Sequence, residues 1–311
     1  MRPEITHRMA LDISVIICTY NRERYLPEAM RSLVEQDFDK NRFETIVVNN
    51  NSTDNTEKVC KEFISTHSGH LLYYYNETEQ GSSPARNKGA RHANGSLLIF
   101  MDDDAIAEKD YLKNAWNFHL SNPDIHGFGG KIIARYIPSK PKWMSHYVSA
   151  LVGNFDYALT VIEFQSNKYP LESNMAVTKQ AFDEVGGFNV ALAGVKGTLR
   201  IGGEGKDLYF RLKEKGHKVF YVPGMVVHHV VEVSKLNYDY LYRVASGIGR
   251  GERQRVSSKG KMGFYGKLAE YVFKLGASIL IGLFYVISFR PAKAWPVIQF
   301  RIDAIKGLTG H

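Results

Sequence analysis

Cysteine is scarce in this chain of 311 residues: only Cys18 and Cys60 are present. Their separation matches no metal-ligand spacing, and each lies in an apolar run. The sequence therefore predicts two buried thiols, not a zinc site or a disulfide framework, in keeping with a reducing compartment. Residues 1–12 lack the long apolar core of a secretory signal, so none is expected. There is no internal repeat and no low-complexity tract, which excludes a solenoid. No apolar run reaches the roughly 20 residues that span a bilayer. Leu275–Phe289 comes nearest, and Arg290 and Pro291 end it.

A composition of 44% hydrophobic and 23% charged residues is that of a globular protein with one large or two small domains. The net charge of +8 is unevenly placed. Residues 235–311 hold thirteen Lys/Arg and four Asp/Glu, which leaves −1 for residues 1–234. Such a tail suits anionic lipid, a phosphorylated acceptor or nucleic acid. With its apolar stretch flanked by Lys and Arg, it reads as a monotopic or re-entrant membrane helix, the alternative being a core or dimer helix.

The first hundred residues alternate strand and helix. Ile13–Tyr20 is a β-branched run, Glu44–Val48 a second strand, His70–Tyr75 a third and Leu97–Met101 a fourth. Between them, Asn21 is the expected cap of a helix over Tyr25–Val34. Ser52-Thr53-Asp54 should start the next helix. Ser83, Pro84 and Gly95 fit the cap, first position and stop of a third. This rhythm predicts a Rossmann-like, mixed but mostly parallel sheet flanked by helices, whose ligands bind beyond the carboxyl ends of its strands. Farther on, Gly129–Ile137 and Glu172–Val177 read as strands and Lys179–Val185 as a helix. Gly202-Gly203-Glu204-Gly205 should precede a helix over Lys206–Lys215. Val219–Val222 and Met225–Val230 read as two more strands, the second carrying His228-His229. Residues 143–157 are aromatic-rich and resist assignment.

Two polar clusters fall at strand ends: Asn49-Asn50-Asn51 after the second and Asp102-Asp103-Asp104 after the fourth. Adjacent carboxylates repel, and oxygen-only ligands suit hard ions such as Mg²⁺ or Mn²⁺. Alone, the triplet fits a solvated acidic turn as well as a metal site.

The ordered set Ser14–Arg22, Val47–Asp54, Ala85–Gly89, Phe100–Asp104, Gly186-Gly187-Phe188, Gly203-Glu204 with Asp207-Leu208, and Val226–His229 resembles the family 2 inverting glycosyltransferases over roughly residues 12–231. That resemblance implies a glycosyltransferase A-type catalytic domain at 12–232, with a nucleotide half (12–104) and an acceptor half (105–232), followed by the basic tail. It also implies a nucleotide-diphosphate sugar donor, expected to be a UDP-sugar, and Mn²⁺ or Mg²⁺. The acceptor would be a glycan or lipid-linked saccharide of surface polysaccharide synthesis, at the cytoplasmic membrane face. An anionic membrane surface is then the tail's expected partner, and nucleic acid is not.

Residue by residue, Asp102 and Asp104 form the Asp-x-Asp motif, with Asp104 the implied metal ligand and Asp102 or Asp103 meeting the ribose or the metal shell. His229 would complete the shell. Asn50 matches the base-reading position, Thr19, Tyr20 and Asn21 the nucleotide wall, and Arg86 a residue beside the nucleotide. The general base is implied at Glu204, with Asp207 the alternative, because Gly205 stands where the family usually has Asp. Asn174, Gly187, Phe188, Trp143 and Tyr147 are candidates for the sugar pockets. Two other functions compete: a sugar-nucleotidyltransferase, which would favour a Gly-rich basic loop where Thr19–Arg22 stands, and a membrane-associated glycan-binding protein with a decayed site.

Overall fold

The structure, a computed structural model, describes residues 11–165, 168–192, 194–196, 199–201, 203–257 and 260–310. The N-terminal segment read for a leader, Gly202, and part of the basic stretch 250–267 lie outside the described residues.

The first half runs β1 (Leu11–Thr19), α1 (Leu26–Val34), β2 (Phe43–Asn49), α2 (Thr56–Thr66), β3 (Leu72–Asn76), α3 (Ser82–His92), β4 (Gly95–Asp102), β5 (Ala105–Ala107) and α4 (Tyr111–Ser121). Then follow β6 (Gly127–Ile137), α5 (His146–Ser149), β7 (Ile162–Glu163), β8 (Asn174–Thr178), α6 (Lys179–Glu184), β9 (Gly194–Lys196), β10 (Leu199–Ile201), α7 (Glu204–Glu214) and β11 (Val219–Glu232). Three helices close the chain: α8 (Tyr238–Ser257), α9 (Gly260–Ile287) and α10 (Ala294–Thr309).

The main sheet orders its strands β3-β2-β1-β4-β8-β6-β11-β5, with β7 on β11. β3, β2, β1 and β4 are parallel, as the βαβ rhythm requires. β8 enters antiparallel between β4 and β6 and turns the sheet mixed. The strands of the parallel half are apolar on both faces because helices cover both. Ile13, Val15 and Ile17 pack into one core with Leu26, Met30 and Leu33 of α1, whereas Ile16, Ile46 and Val48 pack into a second with Ala85 and Ala90 of α3. Each such side chain contributes about 1.5–3 kcal/mol when fully buried.

Several helix starts differ from the sequence expectation. Asn21 does not cap α1; it adopts a left-handed φ of 54° and its Oδ1 accepts a hydrogen bond from Thr53 N at 2.8 Å, tying the β1 loop to the β2 loop. Ser83 sits inside α3, where its hydroxyl donates to Leu192 O, and Gly81 is the capping position. Gly95 opens β4 and does not close α3. α7 begins at Glu204, two residues early, which places Glu204 in its first turn. The two late strands are one, β11, with a register shift between Val222 and Val226.

The basic segment folds onto the α/β body. α8 and α10 approach closely at two glycines: a Cβ at Gly249 would lie 2.1 Å from Ala304 O, and one at Gly307 2.0 Å from Ser246 O. α9 is 28 residues long and apolar enough to cross a membrane by length and composition, with 17% of its most apolar window buried. Its buried positions are Tyr271, Ser278 and Gly282, while Phe273, Leu280, Leu283, Phe284 and Ile287 are exposed. A helix that hides small residues and presents large apolar ones reverses the pattern of a water-facing helix.

Candidate functional site

β1, β2 and β4 end side by side, with Thr19 opposite Asn49 and Cys18 opposite Asp102. The long β11 supplies His229 from the other side of the sheet, since it pairs with β5 directly after the aspartates: His229 stands opposite Ala105, and Val230 N donates to Asp104 O at 2.9 Å. One cavity of about 800 Å³ then joins Thr19, Tyr20, Asp102–Asp104, Glu204, His229 and residues of α8, α9 and α10.

Asp102, Asp104 and His229 offer ligand atoms all within 4.8 Å of one another. His229 Nδ1 lies 3.0 Å from Val152 O. A carbonyl only accepts, so Nδ1 carries the proton and Nε2 faces Asp104 Oδ1, 3.0 Å away. Gly153 makes room: its φ is 84°, and a Cβ there would lie 2.8 Å from His229 Nδ1. Two carboxylates and an imidazole within this span fit a divalent ion such as Mn²⁺ or Mg²⁺.

Lys235, which the sequence did not single out, places its ammonium 2.5 Å from Asp104 Oδ2 and 3.4 Å from His229 Nε2. Arg22 adds its guanidinium 3.5 Å from Asp103 and 3.7 Å from Asp104. The triplet thus divides its roles. Burial opposes the Asp104 charge, but His229, Lys235 and Arg22 hold its carboxyl below the usual range. Burial and the neighbouring Asp104 charge push Asp103 up, against Arg22. Asp102 is also held from outside the cluster: Ser173 Oγ donates to it at 2.5 Å, and Arg86 lies 3.6 Å away.

Arg86 is buried and links both halves of the cavity, pairing with Glu204 at 3.1 Å as well as with Asp102. Ser82 Oγ also donates to Glu204 Oε1, at 3.0 Å. Beside them lies Glu172, which the sequence reading placed at the start of a strand and did not single out; β8 begins at Asn174, and Glu172 lies in the turn before it. Its Oε1 accepts from Gly205 N at 2.9 Å, satisfying a first-turn amide of α7. A Cβ at 205 would meet that oxygen at 2.7 Å, so Glu172 fills the place a side chain at 205 would take. Burial, then the Glu204 charge, raise the Glu172 pKa.

Asn50 is used otherwise than the resemblance implies. Its Nδ2 donates to Glu77 O and Glu79 O, and its Oδ1 accepts from Gly81 N at 2.7 Å and Gln80 Nε2 at 3.2 Å. With all its bonds spent on loop 77–81, the amide orders the cavity wall and has none left for a base. Asn21, bound to Thr53, is not among the cavity residues, whereas Thr19 and Tyr20 are. Asp207 is also away from the cavity; it bonds Arg211 at 2.8 Å, and Arg211 holds Val185 O and Gly187 O. Its place is structural, anchoring the glycine loop.

Asn174 is spent on Tyr111, Lys131 O and Met225 O. Phe188 packs on Phe100 and Phe182, and Trp143 packs in the cluster under α5. Tyr147 is half-exposed, outside the cavity. Both thiols are free and burial pushes each up to about 12, which makes them poor nucleophiles.

A mixed sheet with an acidic cluster at the end of its parallel half defines the glycosyltransferase A-type fold. The structure of a mannosyltransferase from Pyrobaculum calidifontis in complex with GDP-mannose and Mn²⁺ has that fold and superposes with a TM-score of 0.64 at 20% identity, covering 95% of this chain and 86% of that one. The sequence profile of Glycosyl transferase family 2 matches residues 14–189, and the chain belongs to that family; it is a glycosyltransferase. Among curated relatives, the glucosyl-dolichyl phosphate glucuronosyltransferase of Haloferax volcanii is 26% identical over 235 residues, 74% of this chain and 73% of that protein. A dolichyl N-acetyl-alpha-D-glucosaminyl phosphate 3-beta-D-2,3-diacetamido-2,3-dideoxy-beta-D-glucuronosyltransferase of Methanococcus voltae is 32% identical over 124 residues, 39% of this chain and 39% of that protein.

Proposed function

We propose that this glycosyltransferase moves a sugar from a nucleotide-diphosphate donor to a lipid-linked saccharide, with inversion at the anomeric carbon. The observation that carries the reading is one continuous cavity holding an acidic and histidine cluster on the donor side and the Glu172–Glu204 pair on the other. The Haloferax and Methanococcus relatives, whose names place lipid phosphates in their acceptors, support the lipid-linked class.

Thr19, Tyr20 and the loop ordered by Asn50 would flank the nucleotide. Asp102, Asp104 and His229 would hold a divalent ion, Mn²⁺ or Mg²⁺, which when bound neutralises charge on the departing diphosphate. Arg22 and Lys235 add positive charge beside the same oxygens, and Arg86 orients Asp102 and Glu204 together. Glu204 takes the proton from the attacking acceptor hydroxyl, with Glu172 beside it to share that proton. One base and one displacement invert the configuration. The exposed apolar face of α9 and the cations around it would seat the protein on the anionic cytoplasmic leaflet.

The test is turnover of UDP- and GDP-sugars by the purified protein with Mn²⁺ and a prenyl-phosphate-linked saccharide, the product anomer being read by NMR. Transfer with inverted configuration is expected. Retention would refute the single-base mechanism, and binding of sugar nucleotides without turnover would favour the decayed glycan-binding protein.

A further inference from the structure

The cavity does not end at the carboxylates. Beyond Glu204 it runs between α7 and the three C-terminal helices, where Lys206, Arg243, Lys267, Lys274 and Arg301 line it. Only Glu252 and Glu270 oppose these five cations on that wall. The two acids are already engaged: Glu252 by Lys206, Arg255 and Lys267, and Glu270 by Lys267 and Lys274, each at 2.5 Å. Among the described residues the Arg243 and Arg301 side chains make no ion pair within 4 Å and no hydrogen bond; the Arg301 guanidinium lies over the Phe300 ring at 4.3 Å and feels the Glu270 charge only from farther off, and its Nε is buried without a hydrogen-bond partner. Burial pulls the Arg301 pKa down, as it does that of Lys206. A half-buried guanidinium with no ion pair costs free energy that a ligand's negative charge would help to recover.

The surroundings narrow the ligand. Tyr271, Val244 and Ile248 line the same end of the cavity, and just outside it α9 presents Phe273, Leu280 and Phe284 to the exterior. An anionic head with an apolar chain matches both surfaces; the phosphates of a nucleotide match the cations, but a nucleotide has no chain to cover the apolar face of α9. Planar, multidentate guanidinium groups favour a phosphoryl group.

We propose that Arg243, Lys274 and Arg301 form a subsite for the phosphate of a prenyl-type lipid acceptor, with its sugar reaching toward Glu204 and its chain leaving along the exposed face of α9. This rests on the proposed glycosyl transfer and locates its acceptor. Two substrates would then enter one cavity from opposite ends, the donor phosphates at Asp104 and the acceptor phosphate about the helices. The Lys206–Glu252 pair joins the helix that bears Glu204 to the helix that bears Arg243, so the phosphate wall and the base are mechanically connected.

The experiment is titration of the full chain in detergent with farnesyl phosphate, farnesol and inorganic phosphate, by isothermal calorimetry. Farnesyl phosphate should bind at least tenfold more tightly than either of the others. Arg301→Gln and Lys274→Gln should each weaken it about tenfold, as loss of a charge-assisted hydrogen bond does, with Arg301→Lys recovering part. The unfolding midpoint of each variant reports folding, and the exposed Arg243→Gln gives a second reading independent of the core. Unchanged affinity in folded Arg243→Gln and Lys274→Gln proteins would overturn the assignment, as would farnesol or inorganic phosphate binding as tightly as farnesyl phosphate. Binding here needs no sugar transfer. A protein that binds farnesyl phosphate through these residues yet turns over no sugar nucleotide would refute the proposed reaction and leave the subsite standing.

Discussion

Gly205→Ala probes the one position where a single methyl group reports on the catalytic wall. The new Cβ would lie 2.7 Å from Glu172 Oε1 and 2.9 Å from its Cδ and Cγ. Contacts that short force the Glu172 head to move, and its hydrogen bond from Gly205 N, now 2.9 Å, breaks. Overpacking costs about 1–3 kcal/mol. A lost hydrogen bond to a charged group adds about 1.5–3 kcal/mol. Against this, Ala in place of Gly in a helix gains about 1 kcal/mol. The balance is a net loss of about 1.5–5 kcal/mol, since the steric and hydrogen-bond losses outweigh helix propensity. In thermal unfolding this is a fall of roughly 2–8 °C for a chain of this size. Glu172→Ala removes the obstruction, so the pair Glu172→Ala/Gly205→Ala should be more stable than the sum of the singles by about 1–3 kcal/mol in a double-mutant cycle. Additivity within about 0.5 kcal/mol would refute the packing of Glu172 against position 205. A Gly205→Ala protein as stable and active as the parent would do the same.

Glu204→Gln, which keeps shape and removes the base, should lower kcat by about 10²–10⁴-fold with donor affinity little changed; a smaller effect moves the proton to another group. Asp104→Asn should abolish Mn²⁺-dependent transfer and destabilise the fold by about 3–5 kcal/mol, because Lys235 and His229 lose a buried partner; full activity in this variant would remove the metal reading. Gly307→Leu should lower the unfolding midpoint and detach α8 from α10, read by faster hydrogen exchange in both helices, since its side chain would enter the Ser246 backbone. Both cysteines should resist alkylation at pH 8 in the folded protein and react on unfolding; fast labelling of either would contradict its burial.

Much of the site was legible because strand ends announce themselves. An uninterrupted apolar run followed by Asp102-Asp103-Asp104 marks a buried strand releasing its polar residues at one edge. The parallel order β3-β2-β1-β4 follows from the βαβ rhythm alone. Glu204 came only from the family resemblance, which left Asp207 as the alternative. Less legible were residues whose importance depends on partners distant in sequence. Lys235 is an ordinary lysine in the sequence and becomes notable only because β11 carries it back to Asp104. Glu172 reads in the sequence as the first residue of a strand, and its meaning comes from Gly205, 33 residues later. Asn50 misled because an amide's donors and acceptors look available until loop 77–81 is seen to take them all.

The sequence by itself determined the alternation of strands and helices, the strand-end position of the aspartates and the burial of Cys60, whereas Cys18 is partly buried and lines the cavity. Those depend on local periodicity and hydrophobicity, which neighbouring residues encode. Only the tertiary structure decided that residues of the basic C-terminal segment line the cavity, that Glu172 occupies the space beside Gly205, and that Arg301 lies half-buried with its Nε unpartnered. Each of these depends on side chains converging from distant elements under close packing, and no pattern along the chain records where such elements meet.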